Sequence, residues 1–453
     1  MQPFKYHVLA CDQKKPDGQP CCSARGSAEV LDALRREIGT AGLNDTVQLT
    51  TTSSLGLCER GPNLVVYPDG TWYSGVTPAD VKEIVREHFG AGRPVVRLAH
   101  REEAAVHAEI AGNRARFLAS AKARDAAGVV PDDLMGLIRG YQESRILLTA
   151  IELDVFSAVA DGATAAAVAQ RCRTEPRATE LLLNALVALG VVRLDGETYR
   201  NAPVAARYLV AGAPDDARTA LRHNLSLWTT WSSLTEAVRV GHVALRAEMR
   251  ERDDDWTVPF IAAMHRGAAA RAPAVVAAVG AGSVKRMLDV GGGSGAYAIA
   301  FAQANPELTA VVLDLPTVLP ITEGHIEEAG LPRRVTTRAG DLRSDDFGSG
   351  YDLVFLSSIC HMLGPDGNRS LLARAAKALA PGGRVVIQDF ILEPDRTKPR
   401  QAVLFALNML VGTEAGGTYT EAEYTSWLEG AGLGAVTRIR LTGPADLMVG
   451  ARS

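Results

Sequence analysis

Apolar and polar positions change period along this chain, and the changes mark out its elements. Short β-rich runs from Tyr6 to Ala10 and from Val47 to Thr51 flank a stretch, Ser27 to Ile38, with the spacing of an amphipathic helix. Asn63 to Tyr67, then Pro68-Asp69-Gly70, then Thr71 to Ser74 spell a hairpin, because Asp-Gly tolerates the turn geometry. Thr77 is placed to cap a helix from Pro78 to Phe89, with proline at its first position. Arg101 to Ala127 is charged and alanine-rich, which predicts a solvated connecting helix that Val130-Pro131 ends. Residues 133–245 keep a helical period. Leu134, Leu137, Ile138 and Tyr141 form one apolar stripe, and Leu147, Ala150, Ile151 and Val155 another. Thr179 to Leu189, followed by V-V-R-L-D-G-E-T-Y-R-N, predicts a helix and a small hairpin turning at Asp195-Gly196, a winged-helix pattern.

The last segment, 246–453, alternates. Apolar runs at Met287 to Val290, Ala310 to Leu313, Val335 to Ala339, Leu353 to Ser358 and Arg384 to Asp389 are separated by helical stretches. That order calls for a parallel sheet covered on both faces. Ala435 to Leu441 and Leu447 to Ala451 are separated only by T-G-P-A-D, too short for a crossover helix, so they should pair antiparallel. The expected architecture is multidomain α/β, with units at 1–98, 133–245 and 246–453 and a linker helix at 99–132.

Composition narrows the function classes. A length of 453 residues suggests roughly three domains, and 47% hydrophobic with 22% charged residues is a globular balance. A net charge of −4 drives the chain towards neither nucleic acid nor an anionic membrane. The only basic residue from Glu175 to Leu189 is Arg177, so the winged pattern predicts an interaction role and not a DNA reader. The first residues lack a signal-peptide core and no apolar run reaches spanning length, so a cytoplasmic protein is expected. Cys11, Cys21, Cys22 and Cys58 crowd the first 60 residues, whereas Cys172 and Cys360 stand apart. In a reducing compartment such crowding argues for metal or redox chemistry.

The organising motif is V-K-R-M-L-D-V-G-G-G-S-G-A, residues 284–296. A strand carrying Asp289 runs into Gly291, Gly292, Gly293 and Gly295, then an apolar helix from Tyr297 to Gln303. Glycines are needed where backbone closely approaches a ligand or takes positive φ. The next strand ends in Asp314, where an acid faces the hydroxyls of a bound ribose. G-x-G-x-G after L-D-V resembles the first motif of class I methyltransferases that use S-adenosylmethionine. The resemblance implies a Rossmann-like domain with a C-terminal antiparallel hairpin, and a cofactor held by Asp289, Gly291, Gly293, Gly295, Asp314, Leu315, Gly340, Asp341 and Ser357. Residues 133–245 resemble the dimerisation domain of hydroxyl-directed small-molecule O-methyltransferases, which implies a homodimer.

A base is wanted at the carboxyl end of such a sheet. His361, in L-S-S-I-C-H-M, matches the family's base, and Asp389, in V-V-I-Q-D-F, matches the acid that orients it. The family's second acidic partner falls on Thr418, with Glu414 nearby. Phe260 and Met264, one helical turn apart, match a pair bordering methyl donor and acceptor. Phe405 and Met409, also one turn apart, are expected to line the acceptor pocket or the dimer interface.

C-D-Q-K-K-P-D-G-Q-P-C-C-S-A-R-G and L-G-L-C-E-R-G-P-N-L-V-V-Y-P-D-G-T-W-Y resemble the thioredoxin-like [2Fe-2S] ferredoxins. The resemblance implies ligands at Cys11, Cys22 and Cys58, a third position that falls on Ser54, and a redox partner. Serine oxygen is a harder, poorer iron ligand than thiolate. Three readings stand: a cluster on Cys11, Cys22, Ser54 and Cys58; one in which Cys21 substitutes; or a scaffold without a cluster. For the whole chain the leading expectation is a methyltransferase acting on a small, planar, hydroxylated acceptor. C-methylation of a tetrapyrrole-like ring, and an electron-transfer or redox-sensing protein that only binds ligand, are the alternatives.

Overall fold

The computed structural model describes residues 3–15, 20–100, 102–126, 130–244 and 254–452. The expected 245/246 boundary and the limits Arg101 and Ala127 of the connecting helix lie outside these residues. Contacts group the chain into two compact units, 1–140 and 141–453.

In the first unit β1 (Tyr6–Cys11), α1 (Ser27–Thr40) and β2 (Val47–Thr52) form a parallel βαβ turn, followed by the hairpin β3 (Asn63–Tyr67) and β4 (Thr71–Ser74). The sheet order is β2-β1-β3-β4, with β3 antiparallel to both β1 and β4. Val30, Leu34 and Ile38 of α1 pack on Val8, Leu64 and Val66, as their helical spacing requires. The predicted hairpin turn does more than reverse the chain. Asp69 accepts from Thr71 N at 3.0 Å and pairs at 2.6 Å with the buried His88, whose other ring nitrogen meets Tyr73 Oη at 2.9 Å. At α2 (Pro78–Glu83) the Asp80 carboxylate accepts from both Thr77 N and Thr77 Oγ1. Its continuation, Ile84–Gly90, is wound as a π-helix rather than as the uniform α-helix expected.

The connecting helix, α3 (Glu103–Ala126), is not merely solvated. Ile110 packs against Gly56, where a β-carbon would lie 2.9 Å from it. Asn113 donates to Gly56 O at 2.7 Å, and Glu109 pairs with Arg60 at 2.7 Å. One face of α3 thus covers the loop that carries Ser54 and Cys58.

A long helix, α4 (Asp132–Glu152), carries both expected stripes with opposite fates. Ala150 and Ile151 are buried, whereas Leu134, Ile138 and Tyr141 are exposed and Leu137 is 76% exposed. Then come α5 (Val155–Ala158), α6 (Ala165–Cys172), α7 (Pro176–Ala188) and the wing β5 (Val192–Asp195) and β6 (Thr198–Asn201), with Gly196 at positive φ in its turn. Three further helices, α8 (Pro203–Tyr208), α9 (Arg218–Trp231) and α10 (Leu234–Val240), lead to α11 (Asp254–Val279).

The α/β part follows as β7 (Arg286–Val290), α12 (Ala296–Ala304), β8 (Thr309–Asp314), α13 (Leu319–Glu328), β9 (Val335–Ala339), β10 (Tyr351–Ser357), α14 (Pro365–Ala378) and β11 (Leu379–Asp389). The short pair β12 (Ile391–Leu392) and β13 (Tyr419–Thr420) brackets α15 (Arg400–Gly412), and α16 (Glu421–Gly430) precedes β14 (Gly434–Ile439) and β15 (Asp446–Ala451). The sheet reads β14-β15-β11-β10-β7-β8-β9. Its strands β7 to β11 pair in parallel, and the last two pair antiparallel, as expected. Strand alternation feeds two cores. Leu353 and Phe355 pack with Tyr297 and Phe301 on one face, while Val354 and Leu356 pack with Leu371 and Leu428 on the other. Strand order reverses between β7 and β10, so their carboxyl ends open the crevice in which ligands of such sheets bind.

Candidate active site

At the end of β7 the chain turns through Gly291, Gly293 and Gly295, at φ 65°, 56° and 73°. Side chains rarely adopt these angles, and the room is small as well. A β-carbon on Gly291 would lie 2.4 Å from Ile359 Cδ1, and one on Gly292 2.8 Å from the Asp289 carboxyl. Gly293 differs, since a β-carbon there would meet only Ile261, at 3.8 Å. Its backbone faces open space. Asp314, at the end of β8, holds the turn: its oxygens accept from Gly293 N and Leu315 N, both at 2.7 Å. Thr322 of α13 donates to Gly293 O at 2.6 Å. Burial pushes the Asp314 carboxyl above its ordinary range.

Asp289 lies beneath Gly292, 0% exposed, and neither of its oxygens has a well-formed hydrogen bond. Desolvation pushes its pKa up to about 7, with the Asp314 charge adding to the effect. Further along the crevice, Gly340 N donates to Asp314 O at 3.0 Å. Asp341 caps the turn after β9 by accepting from Arg343 N at 2.9 Å. Ser357 Oγ donates to Gln388 Oε1 on the neighbouring strand at 3.1 Å.

His361 follows β10 in a short 3-10 turn, Cys360–Met362, and Asp389 closes β11. The two meet. His361 Nδ1 lies 2.7 Å from Asp389 Oδ1, and His361 N donates to Asp389 Oδ2 at 3.1 Å. Phe390 N donates to the same carboxylate at 2.8 Å. An ionised carboxylate only accepts, so Nδ1 carries the proton and Nε2 is the ring's free acceptor. Phe405 of α15 sets its ring edge-on to the imidazole at 4.8 Å and stacks on Phe390 at 4.3 Å. Met409, one turn on, is buried.

Phe260 belongs to a second aromatic group, stacked on Trp256 at 4.6 Å with His223 against its edge. No ring contact among the described residues joins it to His361. Met264 on the same helix is 40% exposed. Thr418 does not replace the missing acid, because its hydroxyl is spent on Ala402 O at 3.2 Å. Period and motif single out neither Phe390 nor Gly416. A β-carbon on Gly416 would stand 2.4 Å from His361 O, and Gly417 N donates to that same oxygen at 2.9 Å. The paired glycines of E-A-G-G-T were the available signal.

In the first unit the expected ligand positions are Cys11 at the end of β1, Cys22 before the turn Ser23–Arg25, and Ser54 and Cys58 on one loop. The influence of the Cys22 thiol pulls Cys11 down to about 6, and that of the Cys11 thiol, with burial, raises Cys22. Cys58 Sγ instead receives Lys15 Nζ at 3.2 Å and lies 3.1 Å from Ser54 Oγ. Cys21 Sγ accepts from Ala24 N at 3.4 Å. Among the described residues no group of three or more His, Cys, Asp or Glu could hold a metal.

Comparison with known proteins decides the family. Residues 231–434 match the O-methyltransferase domain, and residues 135–211 match the O-methyltransferase dimerisation domain. The 3-hydroxy-5-methyl-1-naphthoate 3-O-methyltransferase of Streptomyces sahachiroi is 36% identical over 69% of this chain and 92% of its own length. The chain belongs to the O-methyltransferase family. The 8-O-methyl transferase of tetracenomycin polyketide synthesis from Streptomyces glaucescens is 31% identical over 71% of this chain and 96% of its own. The human N-acetylserotonin methyltransferase, solved in complex with S-adenosylmethionine, superposes with a TM-score of 0.63 at 26% identity, covering 71% of this chain and 96% of that one. The enzyme is thus an S-adenosylmethionine-dependent O-methyltransferase, and its glycine turn fits that cofactor, with open room in front of Gly293 beside the Asp314 carboxylate. No helix among the described residues is long and apolar enough to cross a membrane.

The buried Asp289 generates a stability prediction. Its folded pKa, about 7, lies above the ordinary 3.8, so the folded state holds the proton more tightly. Stability is therefore lost as pH rises from about 4 to about 7. Asp289→Asn removes this titration. Its stability relative to the parent, from denaturant unfolding without cofactor, should be about 2–3 kcal/mol more favourable at pH 8 than at pH 5. An equal difference at both pH values would contradict the assignment.

Proposed function

We propose that this O-methyltransferase methylates a phenolic hydroxyl on a small fused-ring acceptor, with His361 as general base and Asp389 as the residue that positions it. The observation that carries this reading is the His361–Asp389 pair, held by three N–H donors to one carboxylate at the mouth of the crevice. When bound, S-adenosylmethionine supplies an electrophilic methyl group on a sulfonium. The residues do the rest. Gly291, Gly293, Gly295 and Asp314 bind and orient the donor, Asp314 through the lone pairs that its two backbone donors leave open. Leu315, Gly340, Asp341 and Ser357 border the nucleoside end. Nε2 of His361 takes the hydroxyl proton, and the Asp389 carboxylate stabilises the resulting imidazolium. Phe390 and Phe405 form an aromatic wall beside the imidazole, against which a planar ring stacks. Phe260, Met264 and Met409 complete the apolar surroundings of the acceptor. The naphthoate and tetracenomycin relatives favour a fused aromatic acceptor over the tetrapyrrole-like ring.

The same reading assigns 133–245 to dimerisation and 246–453 to catalysis. In it the exposed stripe Leu134, Leu137, Ile138 and Tyr141 is covered by a second copy. The first unit, with its parallel βαβ turn and antiparallel hairpin, is read as a thioredoxin-like scaffold over 1–98, joined through 99–132.

Two measurements test these assignments. With a hydroxylated 1-naphthoate as acceptor, His361→Ala should lower kcat by about 100- to 10,000-fold. Calorimetric titration should show unchanged affinity for S-adenosylmethionine in the same variant. A kcat within twofold of the parent would remove His361 from the reaction. For assembly, light scattering should give the mass of two chains for the parent and one for Leu137→Asp/Ile138→Asp. A parent of one-chain mass at micromolar concentration would overturn the dimer.

A further inference from the structure

Two helices grip the glycine turn through side chains that the methyl transfer leaves without a task. From α13, Thr322 donates to Gly293 O at 2.6 Å. From α11, His265 Nδ1 lies 2.8 Å from Oγ of the buried Ser294, the next residue of the turn. Ile261, one helical turn before His265, is the side chain that a Gly293 β-carbon would meet. The two helices also meet each other. His325, three residues after Thr322, stacks its ring on that of His265, with centroids 4.0 Å apart and planes 4° from parallel. Phe260 and Met264 stand one position ahead of Ile261 and His265 on α11. The stack therefore ties the helix assigned to the acceptor to the turn assigned to the cofactor.

We propose that His265 is a positioning residue for S-adenosylmethionine: as a neutral ring it holds Ser294 and stacks on His325, and on taking a proton it loosens the turn and weakens cofactor binding. This rests on the reading of the glycine turn as the cofactor's seat. A neutral imidazole accepts the Ser294 hydroxyl proton at Nδ1 or donates its own, whereas an imidazolium only donates. Protonation also sets a positive charge beside a turn that receives a sulfonium, and two stacked imidazolium rings repel each other. The charged groups around the stack are these. Glu328 of α13 lies 3.4 Å from His325 Nδ1, Asp289 and Asp314 lie at the turn, and Arg266, next on α11, sets its guanidinium 5.5 Å over the Tyr208 ring. Burial lowers the His265 pKa, His325 lowers it further, and Glu328 opposes both. The ring is therefore neutral at neutral pH and gains its charge as the medium turns acid.

The full chain is titrated calorimetrically with S-adenosylmethionine at pH 8 and pH 5. The parent is compared with His265→Asn, whose amide keeps a partner for Ser294 near the Nδ1 position but does not titrate. Asp289 and Asp314 are present in both proteins, so the difference between them isolates the ring. Between pH 8 and pH 5 the parent should lose about tenfold more affinity than His265→Asn, the effect of about one pKa unit between free and bound protein. His265→Leu, which offers Ser294 no partner, should bind about fivefold more weakly than the parent at pH 8. Equal losses in the parent and His265→Asn, or a folded His265→Leu that binds as tightly as the parent, would overturn the proposal. Asp314→Ala tells that failure from failure of the seat itself. A large loss of affinity there with no effect at His265 rejects His265 alone. Undiminished affinity in Asp314→Ala removes the turn from cofactor binding, and the proposal with it.

Discussion

One carboxylate at the end of β11 organises the chemistry proposed for this enzyme. Asp389 accepts from the His361 backbone, the His361 ring and Phe390 N, so three donors from two segments converge on two oxygens. The strands beneath are in register, with Ser357 opposite Gln388 and hydrogen-bonded to it, so the ends of β10 and β11 arrive together. A hydrogen-bonded carboxylate in a poorly hydrated place fixes the imidazole in one orientation and one tautomer. The aromatic wall and the Gly416-Gly417 seat only have meaning around a ring so held.

The glycine turn works by the opposite device, a deliberate lack of side chains. Three positive-φ glycines let Asp314, at the end of β8, reach the backbone of the turn after β7, and this leaves Gly293 as the surface that faces outward. Asp289 underneath carries an unfavourable burden: a carboxyl without good partners at full burial is costly when ionised. Desolvation pushes its pKa up to about 7, which disfavours the ionised form.

Much of this was legible in the sequence, for identifiable reasons. Strands β7 to β11 could be located because a parallel sheet buried on both faces demands continuous apolar runs. His361 and Asp389 could be paired because both match strand-end positions of the methyltransferase motifs that the chain resembles. What escaped was contact made by elements distant in sequence. Ile110 closing over Gly56, Phe390 stacking on Phe405, and Asp289 pointing under its turn instead of out of it are facts of packing, invisible to period or motif. The cysteine cluster illustrates the same limit. The resemblance implied ligands at Cys11, Cys22 and Cys58 with Ser54 or Cys21 completing the set, and no motif shows that Lys15 reaches Cys58 or that Asn63 reaches Cys22.

The central claim is that His361 directs the methyl group to oxygen. It is tested most directly by supplying S-adenosylmethionine carrying a 13C-labelled methyl with a panel of hydroxylated naphthoates. Locating the labelled carbon in the product by NMR then gives the answer. The account predicts a methyl ether, its label coupled through oxygen to a ring carbon. A label on carbon or nitrogen, or no transfer to any hydroxylated naphthoate by enzyme that binds the cofactor, would contradict it.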